Sequence, residues 1–340
     1  MDALSSKRRD LAFAWGLLRR HPFNCLVQVT NRCNMQCSFC DFWPNGASEP
    51  EELTLAEYEK LAGELDRMGT FLISIEGGEP LVRPDLVEIV RAFGRRHIQA
   101  LFTNGWYVTA ENARALFDAG LVHASVSIDY PDAARHDRKR ALAGACDRAW
   151  RAVDRLRDAA PLGGKQVNVM TVLMEDNWRD LDALLGMTAE RGVGHWITLL
   201  SLTGYRRGKA GPDAIPGAEM ASPLLALFHR HPHLRVFEDY VTLMGDFLGG
   251  RAMPTCRAGL QSFNVDHVGN VSPCIEKIDW VAGNVRAESL RAIHARMAAD
   301  RKAVEACQDC WTVCRGSSQL LGGGGSLRAF RDLAARMRAS

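Results

Sequence analysis

Cysteines at two kinds of spacing are the residues of this chain best suited to chemistry. Cys33, Cys37 and Cys40 stand in Cys-x3-Cys-x2-Cys spacing within Thr30-Asn31-Arg32-Cys33-Asn34-Met35-Gln36-Cys37-Ser38-Phe39-Cys40. Three thiolates on one loop can hold three irons of a [4Fe–4S] cubane and leave the fourth open, where a substrate or cofactor can bind. A structural zinc site closes with four N or S ligands. No fourth Cys or His stands nearby, and His21 would have to fold back from before the strand. The second group is Cys256, Cys274, Cys307, Cys310 and Cys314. Five thiolates within about 60 residues suffice for one four-cysteine cluster with one to spare, and a zinc ribbon would use the same ligand types. Cys25 and Cys146 stand apart and read as ordinary buried cysteines.

Composition bounds what such sites can belong to. The chain has 340 residues, 47% hydrophobic and 24% charged, which describes a globular protein of about two domains. Ten cysteines in 340 residues are too sparse for a disulfide scaffold. A net charge of +2 gives no support for a nucleic-acid binder that relies on bulk positive charge. The apolar run Leu11 to Leu18 is too short and interrupted for a signal peptide, and nothing reaches the length of a membrane span. The expected setting is cytoplasmic and reducing, where clustered cysteines bind metal or do chemistry. Both ends are basic. Solvated surface helices are the plainer reading, although a basic helix bearing Phe13, Trp15, Leu17 and Leu18 could also lie on an anionic membrane surface.

The elements that must position the cysteines alternate in type. After a helical lead-in over 4–20, strands are expected at Leu26–Thr30, Phe71–Ile75, Ala100–Thr103, Ala124–Ile128, Gln166–Leu173 and Trp196–Leu199. Helices are expected near 54–68, 83–96, 111–119, 140–159 and 177–191, the first opened by a capping box of Thr54 and Glu57. Six β–α repeats predict a parallel sheet, either doubly wound or a partial barrel. The Gly- and Pro-bearing stretch from Gly204 to Gly217 reads as a linker. Helices over 219–230 and 238–249 follow, then a hairpin of Phe263–Val265 and Asn270–Ser272 turning at Gly269. Gly322–Gly325 reads as a hinge before a basic tail helix over 326–338.

Several short motifs end these strands. Glu76-Gly77-Gly78-Glu79-Pro80 ends the second, Thr103-Asn104-Gly105 the third and Ser125-Val126-Ser127-Ile128-Asp129 the fourth, with His136-Asp137-x-x-Arg140 beyond. Parallel α/β folds build sites at strand C-termini. With the first cysteine motif and its aromatic Phe39, this set resembles the radical S-adenosylmethionine (SAM) superfamily. The resemblance implies a partial (β/α)6 TIM-like barrel with a small C-terminal α+β auxiliary-cluster domain. It makes Cys33, Cys37 and Cys40 ligands of a SAM-binding [4Fe–4S] cluster, and it assigns Phe39, Gly77, Gly78, Glu79, Pro80, Asn104, Ser127, Asp129, Arg140 and Leu199 to cofactor binding. Ala141 stands where one large branch has Gly.

The later cysteines resemble SPASM and twitch auxiliary domains. Twelve residues separate Cys256 from Gly269 and four separate Gly269 from Cys274; Gly283-Asn284-Val285 and Cys307-x2-Cys310-x3-Cys314-Arg315-Gly316 follow. A full SPASM domain uses seven cysteines for two clusters, but here Ser318 stands where the last would fall. One auxiliary [4Fe–4S] cluster is therefore expected, held by Cys256, Cys274, Cys307 and Cys310, with Cys314 as the spare, a replacement or part of a second site. The implied organisation is a basic helix (1–22), the core (23–215), a helical connector (216–255), the auxiliary domain (256–320), and the hinge and tail (321–340).

The resemblance implies reductive cleavage of SAM to a 5′-deoxyadenosyl radical that takes a hydrogen atom from a substrate C–H, in an oxidation, dehydrogenation or other modification within a biosynthetic pathway. An electron donor such as flavodoxin or ferredoxin would serve it. The substrate would be a small molecule or lipid-like; modification of a ribosomal peptide or protein is the alternative. Sulfatase-maturing relatives carry an Asp directly after the cysteine aligned with Cys274, whereas this chain has Ile275 and then Glu276. Glu276, Asp266 and Tyr205 are the candidate base or substrate contacts. The competing class is an iron–sulfur or zinc scaffold without activity. Gly204-x3-Gly208-Lys209-Ala210 falls one residue short of a P-loop and lacks its Ser or Thr.

Overall fold

Strands with residues buried on both faces make up the core of the first 200 residues, and they pair in the order in which the chain presents them. The computed structural model of the chain describes residues 3–162, 166–204, 211, 214–322 and 331. In it β1 (Asn24–Thr30), β2 (Leu72–Gly77), β3 (Ile98–Thr103), β4 (His123–Ser127), β5 (Val167–Leu173) and β6 (Gly194–Leu199) are successive parallel neighbours. A doubly wound sheet reverses its strand order at a switch point, while a barrel winds one way. The unreversed order is that of a barrel, and the row stays open.

Helix α1 (Ala3–Leu18) precedes the sheet, and α2 (Leu55–Met68), α3 (Leu86–Phe93), α4 (Ala110–Ala119), α5 (Ala133–Arg140), α6 (Ala145–Ala159) and α7 (Leu181–Glu190) cross between strands. The capping box expected at Thr54 is present, with Thr54 N donating to Glu57 Oε2 at 2.8 Å. The helix expected over 140–159 starts at Ala145 instead, after a separate α5 that ends at Arg140. Ala141 takes a left-handed φ of 53°, which ends α5, and the Asp137 carboxylate accepts from Gly144 N (2.5 Å) and Cys146 N (2.8 Å) to start α6. One core cluster lies between the sheet and α2, α3, α4 and α6.

Helices α8 (Ala221–Arg230) and α9 (Glu238–Leu248) stand close to the expected connector. With α1, α7 and α12 (Val313–Gly322) they cover the β5–β6 end through a second cluster. The expected amphipathic stripe on α1 divides: Phe13 and Leu17 pack into that cluster, while Trp15 and Leu18 are exposed beside Leu11. Tyr205 and the expected tail helix, save Arg331, lie outside the described residues.

The C-terminal hairpin does not form a sheet of its own. β7 (Ser262–Val265) runs parallel to β1, with Asn24 opposite Ser262 and Val27 opposite Val265, and β8 (Asn270–Ser272) and β9 (Gly283–Asn284) continue antiparallel. Helices α10 (Leu290–Ala299) and α11 (Lys302–Glu305) complete this part. Arg286 ties it to α2: its guanidinium pairs with Glu57 (Nε–Oε1 2.6 Å) and donates to the carbonyls of Glu51 (3.1 Å) and Glu52 (3.0 Å).

Candidate functional site

A cavity opens at the C-terminal ends of β1 to β5. Its lining includes Cys33, Cys37, Phe39, Cys40, Phe42, Trp43, Glu76, Gly77, Gly78, Phe102, Thr103, Asn104, Ser127, Arg140 and Val172. The loop after β1 brings the three thiols there, and the glycine pair lets it. A Cβ on Gly77 would stand 2.1 Å from Thr30 O, and one on Gly78 2.3 Å from Arg32 O. Gly78 N and Glu79 N donate to those carbonyls at 2.7 and 2.9 Å. The glycines thus accommodate the cysteine loop itself, at a separation no side chain would permit.

Burial pushes the Cys33 thiol up to about 12 and Cys37 up to about 11, the latter offset by the Arg140 guanidinium beside it. Thiols so raised are poor nucleophiles near neutrality, and a bound metal would have to displace their protons. The lining holds three thiols and neither a fourth Cys nor a His, a donor set that fits a cluster with an open iron better than a closed four-ligand zinc site.

The other expected residues divide between wall and support. Asn104 lines the cavity and donates to Asn34 Oδ1 at 2.9 Å, with its Nδ2 3.9 Å from Cys33 Sγ. Arg140 lines it too, with its guanidinium 5.5 Å from the Phe39 ring centroid. Asp129 sits behind, fully buried, and holds Arg140 at Nε (3.0 Å) and Nη2 (2.5 Å). Glu79 also faces inward, accepting from Leu81 N (3.0 Å), Thr103 Oγ1 (2.7 Å) and Asn104 N (2.7 Å); burial raises its pKa against those bonds. Pro80 opens the turn beside it. Leu199 belongs to the cluster beneath α8 and α9, whereas Leu200 packs with Phe39 and Val172. Strand alternation sends successive residues to opposite faces, so the adenine contact expected at Leu199 falls on the wrong side of the sheet. Glu76, Trp43 and Phe102 join the wall without a motif to announce them, although alternation along β2 from Ile75 points Glu76 inward.

All five later cysteines line a second cavity, with Leu26, Ile275, Glu276, Lys277, Thr312, Arg315 and Ser318 among its other walls. Burial raises Cys274, Cys307 and Cys310, the last to about 12. Glu276, expected as a base, faces this cavity rather than the first, and its Oε2 accepts from Ser201 Oγ at 2.9 Å. Asp266 is held in the β7–β8 turn, accepting from Asn270 N (2.8 Å) and Val268 N (3.0 Å). A small cluster of Leu26, Phe42 and Ile275 separates the two cavities, with Cys40 packed against it from one and Cys314 from the other.

The family model described as "Radical SAM superfamily" matches residues 27–187, and that described as "Iron-sulfur cluster-binding domain", SPASM, matches 256–311. An AdoMet-dependent heme synthase of Oleidesulfovibrio alaskensis is 27% identical over 279 residues, 76% of this chain and 71% of that protein. The mycofactocin maturase MftC of Mycolicibacterium smegmatis is 30% identical over 268 residues, 77% of this chain and 67% of its own. The crystal structure of Streptococcus suis SuiB bound to precursor peptide SuiA superposes with a TM-score of 0.64, covering 91% of this chain and 75% of that one. At 14% identity this last is a likeness of fold.

Proposed function

This chain belongs to the radical SAM superfamily and carries a SPASM-type iron–sulfur domain, and from that premise we propose that it abstracts a hydrogen atom from a substrate C–H and completes a net oxidation. Its fold is the partial TIM-like barrel, and its cofactors are a SAM-binding [4Fe–4S] cluster, an auxiliary [4Fe–4S] cluster and SAM. In our reading Cys33, Cys37 and Cys40 hold the first cluster. Cys256, Cys274, Cys307 and Cys310 hold the second, with Cys314 the surplus thiol of the five that line its cavity. Bound there, these groups supply a 5′-deoxyadenosyl radical for the hydrogen abstraction and a site for the electron an oxidation leaves over.

The chain's own residues do the positioning. Arg140, fixed by Asp129, offers a cation to the carboxylate of SAM and balances thiolate charge. Asn104, Ser127 and the backbone at Gly77 and Gly78 form the polar side of the cavity, while Phe39, Phe42, Trp43 and Phe102 exclude water. The observation that carries the oxidative reading is the shared wall, which sets two cysteine cavities side by side. We assign a small or lipid-like substrate and a flavodoxin or ferredoxin donor. A peptide substrate is the second reading, supported by the maturase relative at 30% identity.

Anaerobic reconstitution with SAM and dithionite tests this. The chain is expected to release 5′-deoxyadenosine, and Cys40→Ala to abolish it; no 5′-deoxyadenosine from either protein sinks the proposal. Iron and sulfide should reach about eight of each per chain, while about four, or stoichiometric zinc, would remove the auxiliary-cluster assignment.

A further inference from the structure

The second cavity presents hydrogen-bond donors as well as thiols. Arg315, one residue past Cys314 in α12, is 6% exposed and binds three backbone carbonyls. Its Nη1 donates to Cys310 O at 2.8 Å, and its Nη2 to Pro254 O at 3.0 Å and Cys307 O at 3.2 Å. Its Nε–H is buried and has no hydrogen-bond partner among the described residues. Ser318, about one turn further along the helix and 2% exposed, likewise has a buried Oγ without a partner. Both side chains line the cavity that holds the five cysteines.

A buried donor left unmet carries the full cost of its desolvation. Two on one wall are accounted for if the cavity's occupant accepts them. Sulfide and thiolate sulfurs are such acceptors, and hydrogen bonds to them stabilise the more negative, reduced state and raise the reduction potential.

We propose that Arg315 Nε and Ser318 Oγ donate to sulfurs of the auxiliary cluster and set its potential, Arg315 also fixing the Cys307–Cys310 loop through its carbonyl bonds. The inference rests on the assignment of these cysteines to a cluster. It makes Arg315 and Ser318 positioning and tuning residues of a site whose ligands are all cysteines.

The full-length chain and its Ser318→Ala, Arg315→Lys and Arg315→Gln variants, reconstituted anaerobically, are compared by iron and sulfide content and then by EPR-monitored redox titration. Ser318→Ala is expected to keep the wild-type iron content while the auxiliary midpoint moves to a more negative potential. Arg315→Lys, which keeps the charge but loses Nε, moves the same way, and Arg315→Gln moves further. The midpoint of the cluster at Cys33, Cys37 and Cys40 stays in place. Full iron content with an unmoved auxiliary midpoint in Ser318→Ala and Arg315→Lys overturns the proposal. Should Arg315→Gln fail to fold, the other two variants decide the matter. Wild-type chain that takes up only about four irons overturns the auxiliary assignment itself, and that failure is visible before any variant is titrated.

Discussion

A methyl group at Gly78 would meet Arg32 O at 2.3 Å and Asn31 O at 2.6 Å, both backbone atoms that cannot swing aside. Gly78→Ala therefore displaces the loop that carries Cys33. Its expected effect is a fall in reconstituted iron from about eight per chain, with the EPR signal of the cluster at Cys33, Cys37 and Cys40 lost more fully than the auxiliary one. The pair Gly77-Gly78 was legible in the sequence as a motif, but its reason was not. The resemblance assigns the pair to cofactor binding, and the structure adds close approach to the chain's own backbone, a contact between segments more than forty residues apart. The same limit explains Glu79 and Leu199. A residue type at a strand end announces that a site is near, while which face it takes depends on a register only the pairing supplies. The cysteines needed no register to be legible, because their spacing along one loop is itself the geometry.

At the scale of elements, most of the alternation of strand and helix could be read from apolar runs and caps, and Thr54 with Glu57 marked a helix start correctly. The break between α5 and α6 could not, since it depends on a left-handed alanine and on Asp137 reaching across the gap. Arg286 makes a link of far longer range, joining the strand that ends in Asn284 to the start of α2. Its guanidinium holds the Glu57 carboxyl down from its ordinary 4.5 to about 2, with the bonds from Thr54 helping. A carboxyl depressed in the folded chain adds stability above 4.5 and loses it as pH falls toward about 2. The pair is partly exposed, so its contribution stays within about 1 kcal/mol. Urea unfolding at pH 7 and pH 3 checks this: wild type should lose more stability between the two than Arg286→Ala does, and equal losses would refute the pairing.

Across the whole molecule, the continuity of the sheet decides what can be separated. All seven residues of β1 are buried, with β2 on one side and β7 on the other. A chain ending at residue 255 would leave β1 as an unprotected edge with its hydrogen-bonding groups bare, the arrangement that invites edge-to-edge association. Sedimentation of that fragment is expected to show aggregates, and a well-behaved monomer would contradict it. The sequence marks the C-terminal cysteines as a unit of their own, yet the pairing of β7 with β1 makes the hairpin the barrel's missing neighbour.

The wall formed by Leu26, Phe42 and Ile275 is contributed by β1, by the loop that follows the first cysteine motif, and by the residue after Cys274. A partition owned jointly by two compartments transmits the tenancy of each to the other, and thermodynamic reciprocity requires the influence to be equal in both directions. If filling either compartment orders that partition, the second cargo meets a surface already arranged for it, and maturation of the chain is expected to be cooperative. Under iron shortage, native mass spectrometry should find chains that are empty or complete in excess of those carrying a single cluster.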